Sequence, residues 1–455
     1  MHHQNGTLIG LLSFDQFRAA VASGDIHTVM IGVPDMMGRL KGKEFDASAL
    51  IKDLPATEAC AYILATDADM TPLPGFDLTG WEHGYGDFTL IPNEHTIRRL
   101  GYLDGTALVL ADPADPEGRP VEVAPRHILR TQLDRLTGLG YEVRVGLETE
   151  FVLYRDTEYS TANNRDLRPV ALHNLDYALD RPPALADFLQ DLRNALRTAG
   201  IPPESVKLEG ANGQVEVTFP YGQALPACDA HIVFKHAVRH VAARRGLTPT
   251  FMAAPETGVG SGLHVHLSLW KDDEPAFATP SRRDVLPETM QRAIAGLISG
   301  LPHLAPLYAP TVNSYKRYRP HSFAPTHFTW GIDNRGCAIR VTGHGQGTHL
   351  EIRPPGADAN PYLAVAAACA AIHHGLTGSP ALPPLYLGDP YQAVDELPLP
   401  GDLAAALGDF DGSPIAVDAF GESVVRHYAH AAHIEIEAHR ALVTDIERQR
   451  GLERA

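Results

Sequence analysis

The chain has 455 residues, 44% of them hydrophobic and 20% charged, which is enough apolar material for two or three domains and a sizeable core. A formal net charge of −17 excludes the concentrated Lys/Arg that a nucleic acid or an anionic membrane surface requires. The four cysteines, Cys60, Cys228, Cys337 and Cys369, lack the paired spacing of a zinc site or disulfide framework. No apolar run reaches the length of a membrane span, and no basic leader precedes an apolar core at the start, so a cytoplasmic, reduced protein is expected.

Taken in order, Leu12 to Ser23 reads as an amphipathic helix and His27 to Val33 as a strand ending at Pro34-Asp35. Ala61 to Ala65 is strand-like, Thr66 to Thr96 is a long loop dense in Asp, Gly, Pro and aromatics, and Thr106 to Ala111 is an apolar strand. The turn cluster Asp112 to Gly118 separates a small α+β unit, residues 1–112, from a larger one, residues 119–455. In the second unit Pro125 to Leu139 and Tyr362 to His374 read as helices, the latter a buried packing helix. Pro380 to Pro400 reads as a surface loop or linker, and Ser423 to Arg450 as one or two helices.

The strands between these helices alternate polar and apolar residues. In Gly146-Leu147-Glu148-Thr149-Glu150-Phe151, Glu148 and Glu150 share one face while Leu147, Thr149 and Phe151 take the other. The same period puts His264, His266 and Ser268 on one face, and His349, Glu351 and Arg353 on another. Glu209 and Glu216 flank Gly213-Gln214, and Arg340 ends Cys337-Ala338-Ile339-Arg340. Singly, each has an ordinary reading as a solvated acidic face, a satisfied histidine pair or an ion-pair staple. Together they offer a groove of carboxylates, imidazoles and guanidinium groups. Carboxylate with imidazole and no thiolate suits magnesium or manganese, and Arg alongside suggests a bound phosphate or carboxylate. There is no Gly-x4-Gly-Lys-Ser/Thr loop, so a nucleotide must be held in another way.

This set resembles the glutamine synthetase superfamily across most of the chain. The motifs stand as Glu148-Thr149-Glu150-Phe151, Gly213-Gln214-Val215-Glu216, Gly260-Ser261-Gly262-Leu263-His264-Val265-His266, Asn313-Ser314-Tyr315-Lys316-Arg317, Asn334 to Arg340, and Glu351-Ile352-Arg353 running into Ala359-Asn360-Pro361-Tyr362. The resemblance implies an α+β fold: an N-terminal β-grasp domain and a C-terminal catalytic domain with a curved antiparallel sheet and helices. It implies two or three Mg2+ or Mn2+, one site from Glu150, Glu209 and Glu216, another from Glu148, His264 and Glu351. Glutamate would contact Gly260, Arg317 and Arg353. ATP and its transferred phosphate would lie near His266, Ser268, His349, Arg335 and Arg340, with Arg335, Arg340 and Arg317 in catalytic roles. It also implies a homo-oligomer, a dodecamer of two hexameric rings with active sites between subunits.

The sequence departs from the ammonia-using members where they carry a Glu that closes the ammonium site; here that position is Phe323. A phenyl ring supplies neither attraction for a small cation nor a base, but it offers apolar surface. The stretch resembles the branch that joins glutamate to polyamines, alkylamines or anilines, so the expected activity is an ATP-dependent ligase that makes a γ-glutamylamide from glutamate and a primary amine, in amine breakdown or detoxification. The alternatives are an ammonia-dependent glutamine synthetase, with Asp77 or Asp87 from an adjacent subunit replacing the lost carboxylate, and a non-catalytic relative. Val259, Ala254 and His349 also differ from family residues near glutamate and the nucleotide, and the regulatory adenylylation segment is absent around Leu385 to Val394.

Overall fold

The computed structural model, which describes residues 10–155, 167–279 and 285–454, builds two β-sheets from these alternating segments. The first has the order β2-β1-β6-β4-β3, from β1 (Thr28–Pro34), β2 (Leu40–Asp46), β3 (Thr57–Cys60), β4 (Asp87–Pro92) and β6 (Thr106–Ala114), with β5 (Arg98–Arg99) also paired to β6. Only the β1/β6 pair is parallel among its described strands. The helix Phe14–Ala22 opens with a capping box, Ser13 accepting from the Gln16 backbone and Gln16 from that of Ser13.

Three expectations need correction. Ala61–Leu64 is a 3-10 turn, closed by Ala65 N–H donating to the Tyr62 carbonyl at 2.8 Å. Ala61, Ile63 and Leu64 are all buried, a spacing that a strand cannot bury on one face. The loop-rich stretch also contains β4, whose Phe88 and Leu90 alternate inward. β6 runs on to Ala114, into the expected turn cluster.

The second sheet carries the polar strands in the order β14-β15-β16-β12-β7-β9-β8. Its members are β7 (Glu142–Tyr154), β8 (Ser205–Leu208), β9 (Gln214–Thr218), β10 (Gly222–Gln223), β11 (Thr248–Thr250), β12 (Leu263–Lys271), β13 (Glu274–Pro275), β14 (Trp330–Ile332), β15 (Ile339–Thr342) and β16 (His349–Ile352). All described neighbours on that path are antiparallel except β14/β15. The apolar face of β7, with Leu147, Phe151 and Leu153, enters a core shared with Phe188, Phe234 and Phe251. The helix Pro361–Gly378 is buried along nearly its whole length, as expected. At the C-terminal end, the helical run Pro414–Ala441 breaks at Gly421, and a short helix, Asp445–Gly451, follows. The architecture is α+β.

Candidate active site

β7 is the hub because residues facing each other across antiparallel strands share a face. Glu148 stands opposite His264 of β12, and Glu150 opposite Glu216 of β9. Glu351 of β16 lies between His266 of β12 and Arg340 of β15, while Lys207 of β8 lies beside Glu216. One polar surface thus crosses six strands. The glycines of the motifs have local reasons. Gly213 turns into β9 at φ 74, where a Cβ would meet the Leu153 carbonyl at 2.7 Å, and a Cβ on Gly262 would lie 2.7 Å from both Arg317 and His264.

The carboxylates form two clusters. Glu150, Glu209 and Glu216 bring ligand atoms within 4.8 Å of one another, as do Glu148, Glu351 and His266. Burial, and then in Glu216 the charge of Glu148, pushes the Glu150 carboxyl up to about 7 and that of Glu216 up to about 10. Burial also works to raise Glu148, but the hydrogen bond with His264 and the nearby His266 imidazole outweigh it and hold that carboxyl below its ordinary value. Glu351 is lowered to about 2 because Arg353, His264 and His266 overcome the cost of burial.

The two histidines differ in what they leave free. His264 Nδ1 lies 2.7 Å from Glu148 Oε1 and 3.5 Å from Glu351 Oε1, while its Nε2 lies 3.3 Å from Arg317 Nη2. His349 Nδ1 lies 2.7 Å from the Gly347 carbonyl and so donates to it, which makes His349 Nε2 an acceptor for His266 Nδ1–H at 3.0 Å. His266 Nε2 is buried without a hydrogen-bond partner, 3.5 Å from Glu148 Oε2. An orphaned imidazole nitrogen beside two carboxylates is a donor set for a hard divalent cation, so the residues fit the metal that the motifs imply. The expected set of Glu148, His264 and Glu351 is therefore joined by His266, which the sequence reading had placed beside the nucleotide.

The arginines frame this surface. Arg340 donates to Glu351 Oε2 at 2.8 Å and lies 3.4 Å from Asp333. Arg353 is ion-paired to the other Glu351 oxygen and donates to the Phe323 carbonyl at 3.0 Å. Buried Arg317 donates to the carbonyls of Arg353 and Pro354, next to Gly260. Arg335 is exposed on the turn between β14 and β15.

A cavity of ≈ 390 Å³ adjoins the clusters and includes Glu148, His266, Ser268 and His349. It also contains three residues that the sequence reading missed. The Trp270 ring lies 6.4 Å from the near-parallel Tyr221 ring and 3.8 Å from the Arg144 guanidinium, and its Nε1–H donates to Ser268 Oγ. The continuing period His266, Ser268, Trp270 was the signal that could have found it.

Phe323 is 70% exposed and has φ 60, a strained backbone for a bulky residue. Its carbonyl bond to Arg353 ties it to the same framework. Within one chain, Asp77 is elsewhere: it pairs with Arg426 at 3.0 Å and lines, with Asp87, a different cavity of ≈ 920 Å³.

Comparisons with known proteins agree with this geometry. Residues 122–451 match the glutamine synthetase catalytic domain. The chain is 42% identical to the γ-glutamylethanolamide synthetase of Streptomyces coelicolor over 97% of its length and 96% of the relative's. It is 32% identical to a glutamate–isopropylamine ligase of a Pseudomonas species, covering 96% of this chain and 97% of that one. Among solved structures, an ADP complex of GmaS superposes with a TM-score of 0.82 at 26% identity, covering 96% of this chain and 99% of the other.

Proposed function

The chain belongs to the glutamine synthetase family, and we propose that it is an ATP-dependent ligase joining the γ-carboxylate of glutamate to a primary organic amine. The observation that carries the choice of amine is Phe323, an exposed ring where ammonia-using members hold a carboxylate. Two relatives that cover nearly the whole chain are named for a γ-glutamylethanolamide product and for isopropylamine as the amine joined to glutamate, which supports this reading.

A free carboxylate does not acylate an amine in water. In the proposed sequence the γ-carboxylate attacks the ATP γ-phosphorus, ADP leaves, and the amine then displaces phosphate from the γ-glutamyl phosphate. Arg317, Arg353 and the Gly260 backbone would hold glutamate. Arg340, already in the groove, and Arg335 at its rim would stabilise charge on the transferred phosphoryl oxygens. His266, Ser268 and His349 would border the nucleotide, with the Tyr221, Trp270 and Arg144 stack as a platform for its base. Two or three Mg2+ or Mn2+, held by Glu150, Glu209 and Glu216 and by Glu148 and Glu351 with His264 or His266, would supply charge neutralisation to the phosphates.

The Phe323 ring would pack on the carbon skeleton of the amine. Asp77 or Asp87 would reach an amine only from an adjacent subunit, so the reading includes the dodecamer of two hexameric rings with shared active sites. A β-grasp domain over 1–112, a catalytic domain over 119–455, a cytoplasmic location and a role in amine catabolism complete it. No described helix is long and apolar enough to cross a membrane.

The test supplies glutamate labelled with oxygen-18 in the γ-carboxylate, ATP, Mg2+ and ethanolamine or isopropylamine, and follows product by mass. The expected result is a γ-glutamylamide together with phosphate carrying one labelled oxygen. Amide without label in phosphate would remove the acyl phosphate, and glutamine formation from ammonium with no organic amide would remove the amine reading.

A further inference from the structure

The Glu150, Glu209 and Glu216 carboxylates do not face one another alone. Register brings Lys207 opposite Glu216 across β8 and β9, and its ammonium reaches inward, Nζ 2.5 Å from Glu209 Oε1 and 3.4 Å from Glu216 Oε2. The same Nζ lies 4.5 Å from the centroid of the Tyr177 ring, which is 66% exposed. Tyr177 N–H donates to the Leu208 carbonyl at 3.2 Å, which holds the Tyr177 backbone beside β8. The other cluster is neutralised differently, by Arg340 and Arg353 on the two oxygens of Glu351.

Three carboxylates held this close repel one another, and a cation among them relieves the repulsion. An ammonium and a divalent ion that seek the same oxygens are competitors. We propose that Lys207 is a built-in counter-cation of this carboxylate triplet: it neutralises Glu209 and Glu216 in the metal-free protein and yields them to the divalent ion, the Tyr177 ring serving as its second seat. The inference rests on the reading that the triplet holds a divalent ion. It assigns Lys207 a positioning role that sets metal affinity at one site and leaves the Glu148 and Glu351 site untouched.

The experiment titrates Mn2+ calorimetrically into the metal-free full chain, and melts it in EDTA and in saturating Mn2+, for the wild type, Lys207→Gln and Lys207→Arg. Lys207→Gln is expected to bind Mn2+ on the order of tenfold more tightly at one class of sites, since a nearby repelling charge is gone. Its melting temperature falls in EDTA and returns to the wild-type value in Mn2+, while Lys207→Arg keeps wild-type behaviour in both. Unchanged or weaker Mn2+ binding by Lys207→Gln would overturn the proposal, as would a loss of melting temperature that persists in saturating Mn2+, the mark of a purely structural lysine. A wild-type chain that binds no Mn2+ would overturn the metal reading itself, whatever the variants do.

Discussion

Two charge networks in this molecule each bring carboxylates into the interior and end in opposite states. In the first, Arg126 donates through Nε and Nη2 to Asp229, both at 2.8 Å, and through Nη1 to Asp112 at 2.7 Å. Arg130 supports Asp112, and Tyr362 donates to Asp229 at 2.7 Å. Burial opposes the Arg126 charge, yet Asp229 and Asp112 outweigh it and its pKa stands above the ordinary value. In the second network, Glu150 and Glu216 have raised pKa values and His266 Nε2 has no partner. The first network is closed by ion pairs within the chain and ties the first sheet to the helix Ala224–Arg244, since Asp112 belongs to β6 and Asp229 to that helix. The second keeps a deficit, with the single ammonium of Lys207 set against the three carboxylates of Glu150, Glu209 and Glu216. A deficit of positive charge marks function here more sharply than the presence of buried charge does.

The comparison can be broken from either side. The largest effect is expected from Glu150→Gln, which keeps an acceptor for Gln214 and the Gly262 N–H but removes a charge from the triplet. Activity should fall beyond the roughly 100-fold that loss of an outer partner costs at a metal site. Melting in EDTA should hold or rise, measured beside phosphate release; a large loss of stability would mean that Glu150 is structural. Next comes Arg126→Ala, which leaves Asp229 buried with one remaining donor in Tyr362. Its cost should be about 3–5 kcal/mol by denaturant unfolding, with residual activity at permissive temperature. Phe323→Glu should come third. It restores a carboxylate at the amine end and should move the ratio of kcat/KM for ammonium over ethanolamine upward by about tenfold or more, with glutamate KM little changed.

The smallest effect concerns His427, a neutral interior group outside both networks. It hydrogen-bonds the Leu64 carbonyl at 2.9 Å, and burial lowers its pKa from 6.5 to about 4. Because the unfolded chain binds this proton more readily, stability is fully present above pH 6.5 and is lost as pH falls toward about 4. His427→Gln should flatten the melting temperature against pH in that window by a few degrees. An unchanged slope would assign it to other groups.

Much of the site was legible because strand periodicity is rigid. Glu148 with Glu150, and His264 with His266, had to share faces once they lay on strands, and register then joined them. Periodicity cannot say which imidazole nitrogen is left without a partner. That depends on His349 and Gly347, which lie some eighty positions away along the chain and are brought in by β16 pairing with β12. Lys207 was unread for a similar reason: a lone lysine on a strand has no signal until its neighbour across the sheet is known to be Glu216. The turn Ala61–Leu64 was misread because a short apolar run carries no decisive period. Segments 1–9, 156–166, 280–284 and residue 455 lie outside the described residues.

The most direct test of the central claim is a competition in one vessel: ethanolamine and ammonium at equal concentration with glutamate, ATP and Mg2+, products separated by mass. The account predicts γ-glutamylethanolamide in clear excess over glutamine, with the excess shrinking in Phe323→Glu. Glutamine as the main product of the unaltered chain would contradict it, and would mean that a carboxylate other than the one lost at Phe323 closes an ammonium site.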